Sequence, residues 1–182
     1  LVLTLEKAGA DIIELGVPYS DPLADGPIIE QASQRAIRSG ANLTKILALV
    51  ADLRKETDIP IILMTYYNPL LRYGLELVAA DSAAAGIDGF IVPDLPLEES
   101  EPFHTALRNS GVCLIPIAAP TSGRERISKI AFGAEGFLYC VSLTGVTGVR
   151  EGLPDKLDEF MQIVREVSTV PAAVGFGIST PE

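Results

Sequence analysis

The chain has 182 residues, of which 48% are apolar, and its 24 acidic and 14 basic residues give a net charge of −10. This length predicts one domain with a sizeable core, and no apolar run is long enough to predict a membrane span. The basic residues are scattered along an acidic chain, which argues against a nucleic-acid partner.

Strand-like and helical patterns alternate along the chain, beginning with a helix-like segment at residues 1–10. The predicted strands lie near residues 11–17, 59–65, 88–92, 112–117, 136–141 and 171–176. Helical patterns follow at residues 27–39, 44–57, 74–85, 97–109, 123–132 and 155–168. This alternation predicts an α/β fold with parallel strands.

Two architectures fit this alternation, an open doubly wound sheet and a (β/α)8 TIM barrel. The sequence contains neither a GxGxxG motif nor a Walker loop, and we therefore favour the barrel. About six βα units are visible where a full barrel has eight. We expect residues 1–182 to form a single TIM-barrel domain that is incomplete at both termini.

The first predicted strand carries an acid, Glu14, in the middle of a β-branched run, and Asp25 follows in the adjoining loop. A carboxylate among apolar residues needs a partner, or its pKa rises until it can act as a general acid or base. Two carboxylates in different settings can take different roles. The structural alternative is a Glu14 satisfied by backbone donors and an Asp25 that caps the next helix.

Several chemistries lack the residues that they need. A Schiff base requires a lysine at a strand end, but all five lysines fall in helical segments. The single histidine, His104, lies in a predicted helix, so we expect no metal site. Cys113 and Cys140 have no ligand spacing, which is typical of reduced core cysteines in an intracellular protein. Carboxylate chemistry remains.

Glycine-rich segments follow the last two predicted strands. Residues 144–148 read TGVTG, a pattern that suits a mobile loop with backbone N–H groups for an anion. Gly175 and Gly177 would let a phosphate approach the backbone, although glycine is also ordinary at a βα turn.

Five segments together resemble the tryptophan synthase alpha chain family: ELGVPYSDPLADGP, LMTYYNP, PDLPLEES, SLTGVTG and VGFGIS. They occur in the family's order, and the similarity extends over essentially all 182 residues. The resemblance implies a (β/α)8 barrel that cleaves indole-3-glycerol phosphate to indole and glyceraldehyde 3-phosphate, a lyase reaction without metal or cofactor.

The resemblance also implies roles for individual residues. Glu14 matches the catalytic glutamate, and Asp25 matches the aspartate that binds the indole N–H and stabilises charge on the ring. Tyr139 matches a tyrosine beside the glutamate, and Thr147 and Gly148 match the closing loop. The remaining matches are a phosphate-binding amide at Gly177 and pocket residues at Phe176, Met64, Ile91 and Ile117.

Asp21 and Pro22 match the contact with the beta chain, which implies an alpha2beta2 heterotetramer whose pyridoxal phosphate belongs to the beta chain. We expect a cytoplasmic protein, or a plastid one if a transit peptide preceded Leu1. Two alternatives stay open: a non-catalytic barrel that regulates the beta chain, and another phosphate-binding biosynthetic barrel.

Overall fold

The computed structural model describes residues 1–141 and 153–175, which belong to two compact units, Leu1–Leu114 and Ile115–Glu182. The first unit contains, in chain order, α1 (Val2–Lys7), β1 (Ile13–Gly16), α2 (Pro27–Arg38), α3 (Leu43–Leu53), β2 (Ile61–Met64), α4 (Tyr67–Tyr73), α5 (Leu75–Ala85), β3 (Gly89–Ile91), a 3-10 turn (Leu97–Glu99), α6 (Glu101–Ser110) and β4 (Cys113–Ile115), whose last residue crosses the boundary. The second contains β5 (Ile117–Ala118), α7 (Arg124–Phe132), β6 (Leu138–Val141), α8 (Leu153–Val167) and β7 (Ala172–Gly175). The predicted alternation of strands and helices is confirmed in both units, whereas the single-domain expectation stays a prediction.

The first sheet has the strand order β1-β2-β3-β4, and β2 runs parallel to both β1 and β3. One face of this sheet packs against the helices through Ile13, Leu63 and Phe90. Phe103 of α6 meets Phe90 edge-on, with 5.4 Å between ring centroids. Burial of these large side chains supplies the main stabilisation of the unit.

The second sheet has the order β5-β6-β7, again parallel. Its helix-facing side chains include Leu138 and Cys140, which pack with Ile127 of α7 and Phe160 of α8. Burial raises the pKa of the Cys140 thiol to about 11. A thiol with so high a pKa is an inert core residue at neutral pH.

The structure departs from the predicted elements at two prolines. The predicted strand 112–117 is two strands, because Pro116 lacks the N–H that a continuous ladder would need. A helix that was not predicted, α4, contains Pro69 in its first turn. The first-turn N–H groups have no acceptor within the helix, so proline costs little there.

Within the described ranges, no helix is both long and apolar enough to cross a membrane.

Candidate active site

Four side chains share one face of the first sheet because their strands are in register. Glu14 pairs with Ile62, and Gly16 pairs with Met64, which in turn pairs with Ile91. Residues two apart on a strand, and partners in a parallel ladder, point to the same side. The helix-facing side already contains Ile13, Leu63 and Phe90, so the opposite side holds Glu14, Ile62, Met64 and Ile91. The structure therefore places three predicted site residues, Glu14, Met64 and Ile91, on one otherwise apolar face.

The side chain of Glu14 is accessible to solvent. The strand β1 lies at the end of the described sheet order, and Glu14 is exposed although Ile13 beside it is buried. Protein atoms around the carboxyl nevertheless displace part of its water, and this desolvation raises the pKa of Glu14. A carboxyl that is reachable by solvent and has a raised pKa can exchange a proton with a bound molecule.

The second carboxylate, Asp25, lies in the loop between β1 and α2 and is half-buried. Burial raises its pKa, a hydrogen bond from the Tyr66 hydroxyl lowers it, and the neighbouring charge of Glu30 raises it, with burial the largest influence. The net result is a raised pKa. The two predicted carboxylates thus differ in their surroundings, since Asp25 has a hydroxyl partner and Glu14 lies on an apolar face.

Asp25 does not cap helix α2. The N-cap residue is Gly26, which makes no side-chain cap, and Pro27 opens the helix. The Asp25 carboxylate instead interacts with Tyr66, which follows β2 in the next βα connection. The capping alternative for Asp25 is therefore wrong, because its carboxylate interacts with Tyr66 of the next βα connection and not with the N-terminus of α2.

Tyr66 is the residue of this site that sequence patterns did not predict. Its hydroxyl accepts a hydrogen bond from the backbone N–H of Ala24 at 2.9 Å and also interacts with Asp25. Burial is the first cause that raises the pKa of Tyr66, and the charge of Asp25 adds to it. The only signal in the sequence was the position of Tyr66 directly after a predicted strand, where a parallel-strand fold collects functional groups.

The loop residues Asp21 and Pro22 lie at the surface. Asp21 is exposed and accepts a hydrogen bond from the Ser20 hydroxyl, and Pro22 is half-buried. Leu23 follows them with 83% of its surface exposed, and Ile28 in the first turn of α2 is also exposed. The loop therefore combines an acid with accessible apolar side chains.

In the second unit, Tyr139 of β6 pairs with Ile117 of β5. Because their strand neighbours Ala118 and Cys140 face the helices, Tyr139 and Ile117 lie on the opposite face. Tyr139 is buried, and its hydroxyl occupies the place where a side chain at Gly175 would begin. Gly175 is thus required for close packing against the tyrosine.

Four predicted site residues lie outside the described residues: Thr147, Gly148, Phe176 and Gly177.

The residues that other chemistries would need lie in helices or turns. Lysines occupy Lys7, Lys45, Lys129 and Lys156 in helices, and Lys55 in the turn after α3. His104 is half-buried on α6. Within residues 1–141 and 153–175, no group of three or more His, Cys, Asp or Glu side chains is arranged to hold a metal ion.

Comparison with known proteins gives one result. The chain matches the family model of the tryptophan synthase alpha chain over residues 1–182. It is 53% identical to the tryptophan synthase alpha chain of Alkaliphilus metalliredigens and 55% identical to that of Geobacillus kaustophilus. Each match covers 100% of this chain and 68% of the relative. A chain from the Pyrococcus furiosus tryptophan synthase a2b2 complex superposes with a TM-score of 0.89 at 38% identity, covering 98% of this chain and 71% of that one. Tryptophan synthase subunit alpha of Legionella pneumophila gives a TM-score of 0.88 at 38% identity, over 100% of this chain and 67% of that one.

Proposed function

From the premise that this chain belongs to the tryptophan synthase alpha chain family, we propose that it cleaves indole-3-glycerol phosphate to indole and glyceraldehyde 3-phosphate. The predicted family and the (β/α)8 barrel fold class are confirmed. The two alternatives, a purely regulatory barrel and a different phosphate-binding barrel, are not favoured. The observation that carries the reaction is the Glu14 carboxyl, which has a raised pKa and lies on an apolar sheet face with Met64 and Ile91.

Glu14 is the proton-transfer group of this proposal. Its protonated carboxyl delivers a proton to C3 of the indole ring, which makes the ring an electron acceptor. The resulting carboxylate takes the proton from the glycerol hydroxyl beside C3. As the aldehyde forms, the carbon–carbon bond breaks and its electron pair restores the C2–C3 double bond of indole. Glu14 ends protonated as it began, so a single residue with a raised pKa closes the cycle.

Asp25 supplies the negative charge for the intermediate state. Protonation at C3 places positive charge on the ring, and a carboxylate at the ring N–H stabilises that charge. The hydrogen bond from Tyr66 favours the ionised form of Asp25 that this role requires. By the family resemblance, contacts with the indole ring are proposed for Met64, Ile91, Ile117, Tyr139 and Phe176. Contacts with the closing loop and the phosphate are proposed for Thr147, Gly148 and Gly177.

The proposed partner is a tryptophan synthase beta chain in an alpha2beta2 assembly. Support comes from the exposed Asp21, with Pro22 and the highly exposed Leu23 beside it, which give a charge flanked by apolar surface. We assign the protein no cofactor of its own, since pyridoxal phosphate would belong to the beta chain, and we propose a cytoplasmic location.

The test is the release of indole from indole-3-glycerol phosphate, measured with and without an added beta chain. Removal of a general acid and base should lower turnover by about 10²–10⁴-fold, and we expect this for Glu14→Gln. Asp11→Asn is the matched control, because Asp11 is exposed and only three residues away. Near-normal turnover by Glu14→Gln would refute the assignment, whereas an equal loss in Asp11→Asn would indicate a general disturbance of β1.

A further inference from the structure

Tyr66 connects two successive βα connections of the first unit. It is only 5% exposed and follows β2, yet its hydroxyl accepts the N–H of Ala24 in the loop after β1, 42 residues earlier. The same hydroxyl interacts with the carboxylate of Asp25. A phenol can accept one hydrogen bond and donate another, so it can hold the loop backbone and the loop carboxylate at the same time.

The ring of Tyr66 is itself held in place. Tyr19 lies against it with 5.3 Å between ring centroids, and the Asn68 amide donates a hydrogen bond to the Tyr19 hydroxyl at 3.1 Å. The backbone N–H of the next residue, Tyr67, donates to Asp94 at 2.8 Å, which fixes the chain directly after Tyr66. A donor that is fixed from several directions spends little entropy when it meets its acceptor.

We infer that Tyr66 is a positioning residue that sets the location and the ionisation of Asp25 during the reaction. The inference rests on the proposed function and extends it to a side chain outside the family-matched site residues. Among residues 1–141 and 153–175, the charged and titratable groups that shift the pKa of Asp25 are Tyr66 and Glu30, and of these two Tyr66 favours the carboxylate.

Tyr66→Phe keeps the ring and its contact with Tyr19 but removes the hydroxyl. The N–H of Ala24 loses this acceptor, and the pKa of Asp25 rises further because a hydrogen bond that favours its carboxylate is gone. Asp25 then becomes protonated at a higher pH than in the wild type, so the acid limb of the kcat profile should shift to higher pH. We expect kcat to fall about tenfold at neutral pH, the usual cost of one hydrogen bond to a charged group.

Tyr67→Phe is the matched control. Tyr67 is the next residue, and its ring packs against Phe103 at 6.3 Å between centroids. Loss of its hydroxyl should leave both kcat and the acid limb unchanged. An equal effect in the two variants would overturn the inference.

A second comparison isolates the route through Asp25. In an Asp25→Asn background, Tyr66→Phe should cause no further loss of kcat, because its target has gone. A further tenfold loss in the double variant would show that Tyr66 acts independently, and would overturn the inference.

A titration of the Asp25 carboxyl by carbon NMR separates this inference from the proposed reaction, since it needs no turnover. An upward movement of the Asp25 titration in Tyr66→Phe supports the positioning role even if the wild-type chain releases no indole, and that outcome would count against the lyase function alone. An unchanged titration, with melting temperatures alike, would overturn the positioning role.

Discussion

The side chain of Arg54, just after α3, joins two strand beginnings in the first unit. Its Nε donates to the carbonyl of Gly86 at 2.8 Å, and one terminal nitrogen donates to the carbonyl of Ile59 at 2.5 Å. The other terminal nitrogen pairs with Asp88 at 2.5 Å, and Asp88 in turn accepts the N–H of Ile61 at 2.7 Å. Arg54 therefore fixes the approaches to β2 and β3.

Arg54→Met tests the value of this arrangement, since methionine keeps the apolar stem and removes the guanidinium. The Arg54 side chain is 19% exposed and that of Asp88 is 48% exposed, so the ion pair alone contributes at most about 1 kcal/mol. Three hydrogen bonds from the guanidinium, to the carbonyl groups of Gly86, Thr57 and Ile59, add about 0.5–1.5 kcal/mol each. We expect the free energy of unfolding to fall by about 2–4 kcal/mol.

The assay is urea unfolding, with the midpoint and the slope compared between variants. Lys55→Met is the control, because Lys55 pairs with Asp52 at 2.7 Å but both side chains are 73% exposed. An exposed pair of this kind is screened by solvent, so its loss should leave the midpoint almost unchanged. If Arg54→Met and Lys55→Met lower the midpoint equally, the hydrogen bonds from Arg54 to backbone carbonyl groups do not contribute the stability that we assign to them. The pH profile of indole release should be unchanged, since Arg54 lies at the opposite strand ends from the loop that holds Asp25.

Two further predictions concern the site itself. In Gly175→Ala the new side chain would overlap the Tyr139 hydroxyl, so we expect a loss of about 1–3 kcal/mol in stability and a lower kcat/KM. Gly133→Ala is the control and should alter neither, because the space around Gly133 is open. A Gly175→Ala protein with wild-type stability and kinetics would contradict the packing argument. Glu14→Gln should be more stable than wild type at neutral pH, as judged by the urea midpoint, and this advantage should shrink as the pH falls towards the ordinary glutamate value of 4.5. The sign follows because a raised folded-state pKa means that the folded form binds more protons, so that ionising Glu14 at higher pH costs stability; an advantage that grows with falling pH would refute it.

The sequence predicted the elements that depend on local patterns. Alternating apolar runs indicated six of the strand positions, and an acid within a β-branched run marked Glu14 as a candidate proton-transfer group. The break at Pro116 and the helix α4 were not predicted. A proline in a strand-like run and an Asn-Pro pair are each compatible with more than one backbone conformation. The conformation that forms depends on residues distant in the sequence, such as Asp94, which accepts the N–H of Tyr67 at the start of α4.

Tyr66 could not be assigned from the sequence, because its role depends on contacts 41 and 42 residues away along the chain. A tyrosine after a strand is equally compatible with packing in the core, and indeed its ring is buried. Only the placement of the two βα connections at one edge of the sheet brings its hydroxyl to Ala24 and Asp25. The same placement explains why Asp25, which has the local signature of a helix cap, serves a different partner.

The position of Glu14 depends on the register of β1. Ile13 and Leu15 pack on the helix-facing core, and the alternation of side chains then sends Glu14 to the other face. A shift of one residue would bury Glu14 among helices and expose both apolar neighbours, so the burial of Ile13 and Leu15 holds the register that the chemistry needs. Because Glu14 pairs with Ile62 and Gly16 pairs with Met64, the register of β1 also determines which residues of β2 lie beside Glu14. Met64 pairs in turn with Ile91 of β3. Core packing on one face of the sheet thereby determines which residues can meet a substrate on the other.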